Sequence, residues 1–114
     1  MTLTPPEYTP LLNVILRALD DLKAQQITIL EVGHLTSLAD VMVIASGTSS
    51  RHVRSLAEHV RDSAKLQQFR PLGIEGEGDA EWVLVDFEQV IVHIMLPSTR
   101  HFYDLERLWQ SQPA

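Results

Sequence analysis

The chain contains no cysteine, which excludes a disulfide framework, a thiolate nucleophile and any zinc site built on sulfur; an ordinary reducing compartment, the cytoplasm, is the expected location. No apolar run approaches the ~20 residues that span a bilayer. The opening Met1-Thr2-Leu3-Thr4-Pro5-Pro6-Glu7 lacks the basic stretch of a secretory signal, so no membrane partner is expected. Positive charge is also scarce: nine Lys and Arg stand against fifteen Asp and Glu, a formal net charge of −6. Such a field repels phosphate backbones and disfavours direct nucleic-acid binding, while it favours a basic protein as partner. Without repeats, low-complexity tracts or internal linkers, the 114 residues read as a single domain over 1–114, with its core at 10–109. That length is sufficient to bury a core unaided by metal or disulfide.

Hydrophobic spacing gives the element order. Thr9 followed by Pro10 reads as an N-cap with proline at the first helical position, and Leu11, Leu12, Ile15, Leu19 and Leu22 recur at helical spacing, which predicts a helix over about 10–25. Ile27 to Val32 and Val41 to Ala45 read as strands, the second apolar on both sides as in a sheet interior. Gly47-Thr48-Ser49-Ser50 supplies hydroxyl caps for a second helix with Val53, Leu56, Ala57, Val60 and Ala64 inward, ending near Phe69 before Pro71. Residues 71–75, 81–87 and 90–96 read as three more strands, the last two forming a hairpin across Glu88-Gln89. Pro97-Ser98-Thr99 then opens a last helix, with Phe102, Leu105, Leu108 and Trp109 on one stripe. The order α-β-β-α-β-β-β-α predicts an α/β sandwich with a mixed sheet of five strands and three helices. Its middle helix is expected to be a right-handed crossover between parallel neighbours.

The most informative segment is Gly73 to Phe87, where a glycine-rich loop carrying Glu75, Glu77, Asp79 and Glu81 enters a strand at Trp82. Alternation puts Val83, Val85 and Phe87 on one face of that strand and Trp82, Leu84 and Asp86 on the other. A face bearing Asp86 cannot be wholly sealed by helix, so Trp82 and Leu84 are expected in or beside an accessible surface. Trp is a side chain that anchors interfaces. The plainer reading makes Trp82 a core residue and the acids solubilising.

Catalytic readings are incomplete. The Gly47–Ser50 segment, with Arg51 beside it, offers a helix N-terminus to a phosphate but lacks the P-loop lysine and the GxGxxG spacing. A nucleotidyltransferase needs paired carboxylates for two metal ions, and Asp86 has only Glu88, at the turn, within two residues. The five histidines lack HExxH spacing, no serine sits in a nucleophile elbow, and the 75–81 acids lack the EF-hand order. No catalytic, metal or cofactor site is assigned. Arg51, Arg54, Arg61, Lys65 and Arg70 fall on or beside the second helix and read as a solvated face among Glu58 and Asp62.

Taken in order, Asp20-Asp21-Leu22-Lys23-Ala24, the run Ala39 to Val53, Gly73-Ile74-Glu75-Gly76, Trp82 to Phe87, Val90 to Met95 and Tyr103 to Trp109 resemble the ribosomal silencing factors, the RsfS or Iojap-like family, over residues 11–109. The resemblance implies a nucleotidyltransferase-like fold without the catalytic carboxylate pair, and no enzymatic activity. It implies binding to the large ribosomal subunit through the fourteenth large-subunit ribosomal protein, at the face where the small subunit docks, so that joining is blocked sterically. It also points to a homodimer when free. On that resemblance the contact role falls to Trp82 and Phe87, with Leu84 beside them and Glu75, Glu77, Asp79 and Asp86 as charged candidates. Phe87 is in tension with the alternation, which turns it to the core.

Overall fold

The computed structural model describes residues 8–110. It contains α1 (Thr9–Asp21), β1 (Gln25–Glu31), β2 (Val41–Ser46), α2 (Ser50–Leu66), β3 (Gly73–Glu75), β4 (Trp82–Asp86), β5 (Val90–Met95), α3 (Pro97–Tyr103) and α4 (Leu105–Gln110). The five strands form one mixed sheet in the order β1-β2-β5-β4-β3, with β2 and β5 parallel and the other pairs antiparallel.

The expected α/β class is therefore present, with one difference in topology. β2 pairs with β5, not with β3, so α2 carries the chain to the far edge of the sheet instead of to a neighbouring strand. The physical reason lies in the strands. Val90 to Met95 is buried at five of six positions, which requires a strand on each side, whereas the three residues of β3 are partly or fully exposed and suit an edge.

Alternation separates the two sheet faces. Val41, Val43 and Ala45, Val83, Val85 and Phe87, and Val90, Val92 and Ile94 join the buried stripes of α1 and α2 in the main core. The opposite face carries a smaller cluster of Leu30, Val32, Ala39, Met42, Ile44 and Met95, against which Trp82, Ile91 and Leu105 pack in part. About 25 cal/mol for each square ångström of apolar area removed from water makes the first cluster the main source of stability.

Helix ends correct several sequence expectations. The N-cap of α1 is Tyr8, not Thr9, and it makes no side-chain cap bond. Both α1 and α2 stop earlier than expected, because Lys23 (φ 60°) and Gln68 (φ 70°) take the left-handed conformation. The amides of Ala24 and Phe69 then turn back to the carbonyls of Leu19 and Ala64 at 2.9 Å, closing each helix in a Schellman-like turn. The last helix is broken into α3 and α4 by Asp104, at φ 49° and ψ 47°. As a result Phe102 (80% exposed) and Leu108 (68%) do not form the buried stripe that their spacing predicts. The Trp109 side chain lies outside the described residues.

A buried arginine, not an apolar stripe, holds this broken helix to the sheet. Arg100, 7% exposed, donates from Nε to Glu106 at 2.5 Å, from Nη1 to Ser46 Oγ at 2.9 Å and from Nη2 to Thr28 Oγ1 at 3.0 Å. The Thr28 hydroxyl donates in turn to Glu106 Oε2 at 3.1 Å. All three directions of the guanidinium fork are satisfied, which makes burial of the charge tolerable. The hydrogen bond from Arg100 holds the Glu106 carboxyl below its ordinary range.

Candidate functional site

Helices α1 and α2 pack on one sheet face, while on the other α4 lies against β1, and α3 is tied to β1 and β2 by Arg100 and reaches β4 only through Tyr103. The part of this face over β4 and the start of β5 is less covered, although His93 and Met95 of β5 are buried. Trp82, Leu84 and Asp86 of β4 and Ile91 of β5 all face it and are all partly exposed. The expected accessible surface around Trp82 and Leu84 is where alternation puts it.

The loop before β4 is fixed from several sides. Gly76 has φ 92°, and a Cβ there would sit 2.1 Å from the Trp82 carbonyl oxygen, so only glycine permits this crossing. The Ala80 amide donates to the Gly76 carbonyl at 3.0 Å. Arg54 of α2 donates to the carbonyls of Glu77 and Gly78 at 3.1 Å. Finally, the Leu96 amide donates to the Glu81 carbonyl at 3.0 Å. Trp82 thus leaves a backbone that has little freedom to shift.

Its side chain is fixed as well. Trp82 Nε1–H donates to His93 Nδ1 at 2.9 Å, and the indole is tilted against Tyr103 with centroids 5.0 Å apart. Tyr103 in turn meets Phe102 edge to face at 5.0 Å. The outer two rings, 57% and 80% exposed, extend the apolar surface beyond the sheet. Edge and tilted geometries of this kind are the favoured ones for aromatic pairs.

Acidic groups rim the patch unequally. Glu75 is exposed and stands opposite Leu84 in the register, and the two residues line a cleft of about 270 Å³ with Gly76 and Trp82. Asp79 and Glu81, both exposed, line a second cleft of about 330 Å³ along Trp82. Glu77 is different: it is half-buried in the segment clasped by Arg54 and lies within electrostatic reach of Arg61 on α2. Asp86 also has a local task, accepting the Glu88 amide at 2.7 Å in a turn where Glu88 adopts φ 75°. Phe87 lies on the inner face, 7% exposed within the main core, so its ring is not part of this surface.

The other sequence candidates have structural occupations. Ser49 caps α2, its Oγ accepting the His52 amide at 3.1 Å. His52 Nδ1 accepts the Thr48 amide at 2.9 Å, while Nε2 donates to the Leu22 carbonyl at 2.7 Å. His59 meets Asp21 at 3.0 Å, so both histidines tie α2 to the end of α1. Among the described residues, no group of three or more His, Asp or Glu is arranged to hold a metal ion.

Sequence reasoning misses three contributors: Ile91, the Phe102–Tyr103 pair and the link from Trp82 to His93. The adjacent aromatics are visible as residues, but helical spacing assigns Phe102 inward. The histidine link depends on strand register, which spacing does not encode.

Comparison with known proteins places these features in a family. Residues 5–114 match the family described as ribosomal silencing factor during starvation. The ribosomal silencing factor RsfS of Chromobacterium violaceum is 41% identical over 106 residues, covering 93% of this chain and 87% of the relative. That of Bacillus subtilis is 33% identical over 103 residues, with coverage of 90% and 87%. A mouse protein named mitochondrial assembly of ribosomal large subunit protein 1 is 33% identical over 86% of this chain and 44% of its own length. A crystal structure of a Chromobacterium violaceum protein superimposes with a TM-score of 0.90 at 39% identity, covering 96% of this chain and 91% of that one.

Proposed function

This chain belongs to the ribosomal silencing factor family, and we propose that it represses translation by binding the large ribosomal subunit and sterically blocking the small one. The partner we propose is the fourteenth large-subunit ribosomal protein, at the subunit-joining face, with the protein acting in the cytoplasm and without catalysis. The observation that carries this reading is the half-open sheet face. It has a rigid Trp at its centre, Leu84, Ile91, Phe102 and Tyr103 around it, and exposed carboxylates at its rim. That is the composition of an anchor surface with an acidic margin, suited to a basic protein. A metal-dependent nucleotidyltransferase has less support, because Asp86 Oδ1 is engaged with the Glu88 amide.

Sedimentation with purified subunits tests the proposal. The protein should migrate with the large subunit alone and reduce the yield of joined ribosomes in proportion to its occupancy. Migration with the small subunit, or normal joining at full occupancy, would contradict it.

The unequal rim gives a kinetic prediction. Changing Glu75, Asp79 and Glu81 together to their amides should slow association with the large subunit by about tenfold at low salt while changing dissociation little. Added salt should reproduce the effect in the unmodified protein. Glu77→Gln alone should matter less, since Arg61 and Arg54 lie on its side of the loop. An association rate indifferent to all these changes would remove the rim from the interface.

We also propose that the free protein pairs through this same face, because two copies cover one apolar patch with a single self-complementary contact. Equilibrium sedimentation should then show a concentration-dependent dimer that Trp82→Ala shifts toward monomer. A monomer at every concentration, or a dimer indifferent to Trp82, would reject the shared surface.

A further inference from the structure

We propose that His93 is a positioning residue for the docking surface, holding the Trp82 indole in the orientation that the partner receives. This inference rests on the proposed function, which makes the Trp82 face the docking surface.

His93 is the one polar side chain in Val90-Ile91-Val92-His93-Ile94-Met95, and it is 5% exposed. Its register neighbours are Ile44 on β2 and Leu84 on β4, neither of which can bond an imidazole. Nδ1 must be bare, since it accepts the Trp82 Nε1–H at 2.9 Å. The neutral ring therefore carries its proton on Nε2, and that nitrogen is buried with no protein hydrogen-bond partner among the described residues.

An imidazole buried between aliphatic neighbours costs more desolvation than the aliphatic residues that fill the rest of the strand. Among the described residues the one side-chain hydrogen bond that it makes is to Trp82, and what that bond supplies is orientation. An indole pivots about two side-chain torsions. Packing restrains this one from the Tyr103 side, with centroids 5.0 Å apart, and in part from the smaller cluster beneath it. The bond at Nε1 removes the remaining freedom, so less order has to be created when the partner arrives. The two rings are tilted by 50° with centroids 5.8 Å apart, so the contact is not a stack.

The test compares two substitutions. His93→Leu fills the space but removes the acceptor. His93→Asn places a side-chain carbonyl close to where Nδ1 stood, so it restores the acceptor. Affinity for the isolated large subunit is measured alongside the indole N–H resonance of Trp82, identified by its loss in Trp82→Ala. The expected result is about a tenfold loss of affinity for His93→Leu, mostly as faster dissociation. Its indole resonance should be shifted or broadened and its melting temperature unreduced, while His93→Asn recovers most of the affinity and the resonance. If His93→Leu binds like the unmodified protein while Trp82→Ala does not, the docking surface stands and the positioning role is overturned. Equal weakening in both variants, in step with lowered melting temperatures, would overturn it in favour of packing. Full binding by Trp82→Ala would remove the docking surface and this inference together.

Discussion

Trp82→Ala is expected to weaken binding to the isolated large subunit by roughly thirtyfold, the equivalent of about 2 kcal/mol, while leaving a single cooperative melt. Hot-spot behaviour needs an aromatic that is rigid before binding and still accessible, and Trp82 meets both conditions. It is held at Nε1 by His93 and flanked by Tyr103, yet it is only partly buried. Truncation also removes its packing against the smaller cluster of Met42, Ile44 and Met95, so some stability is lost. The main core lies on the other face and is untouched. Val83, one residue later and fully buried, is the natural control: Val83→Ala should cost about 2 kcal/mol of stability and leave affinity unchanged. If Trp82→Ala instead loses its cooperative transition with affinity intact, the residue belongs to the core and the surface lies elsewhere.

This pairing of neighbours with opposite roles is legible in the sequence itself. Alternation in Trp82-Val83-Leu84-Val85-Asp86-Phe87 assigns every residue of β4 to its observed face, because a period of two leaves no freedom once Asp86 must avoid the core. The capping of α2 by Ser49 and the Glu88-Gln89 hairpin are legible for the same reason: each is a short-range matter of one or two residues.

What sequence does not reveal depends on long-range placement. The pairing of β2 with β5 joins residues about fifty positions apart, and a preference for nearby connections points to β3 instead. The signal that corrects it is present in the two-sided apolar character of Val90 to Met95 against the exposed, three-residue β3. The last helix misleads more seriously. Its apolar spacing predicts a buried stripe through Phe102 and Leu108, whereas the residue driven inward is Arg100, whose partners Ser46 and Thr28 lie 54 and 72 positions away. No periodicity announces a satisfied guanidinium. Arg100 is anchored inward, the helix breaks at Asp104, and Phe102 and Tyr103 face solvent beside Trp82.

The same histidine that orients Trp82 should make the fold acid-sensitive. Burial pushes the His93 pKa down from 6.5 to about 4, and the bond from Trp82 acts in the same direction, because a second proton would set Nδ1–H against Nε1–H. The sign follows from proton counting. Between pH 6.5 and 4 the unfolded chain takes up a proton at this residue and the native chain does not, so stability falls as the pH falls. A depression of this size corresponds to about 3 kcal/mol, fully present above pH 6.5 and gone by pH 4. Glu106 adds a separate loss lower on the scale: its carboxyl is held below the ordinary 4.5 by Arg100, so its contribution persists above that value and disappears as the pH drops through the native pKa. Denaturant unfolding at pH 7, 5.5 and 4.5 should therefore show a steep decline in the unmodified protein. His93→Leu should decline less over the same interval and become the more stable of the two at pH 4.5. The difference between the two curves isolates this residue from every other titrating group. Parallel curves would mean that His93 takes up its proton as readily in the native state as in the unfolded chain, and would overturn the expectation drawn from its burial.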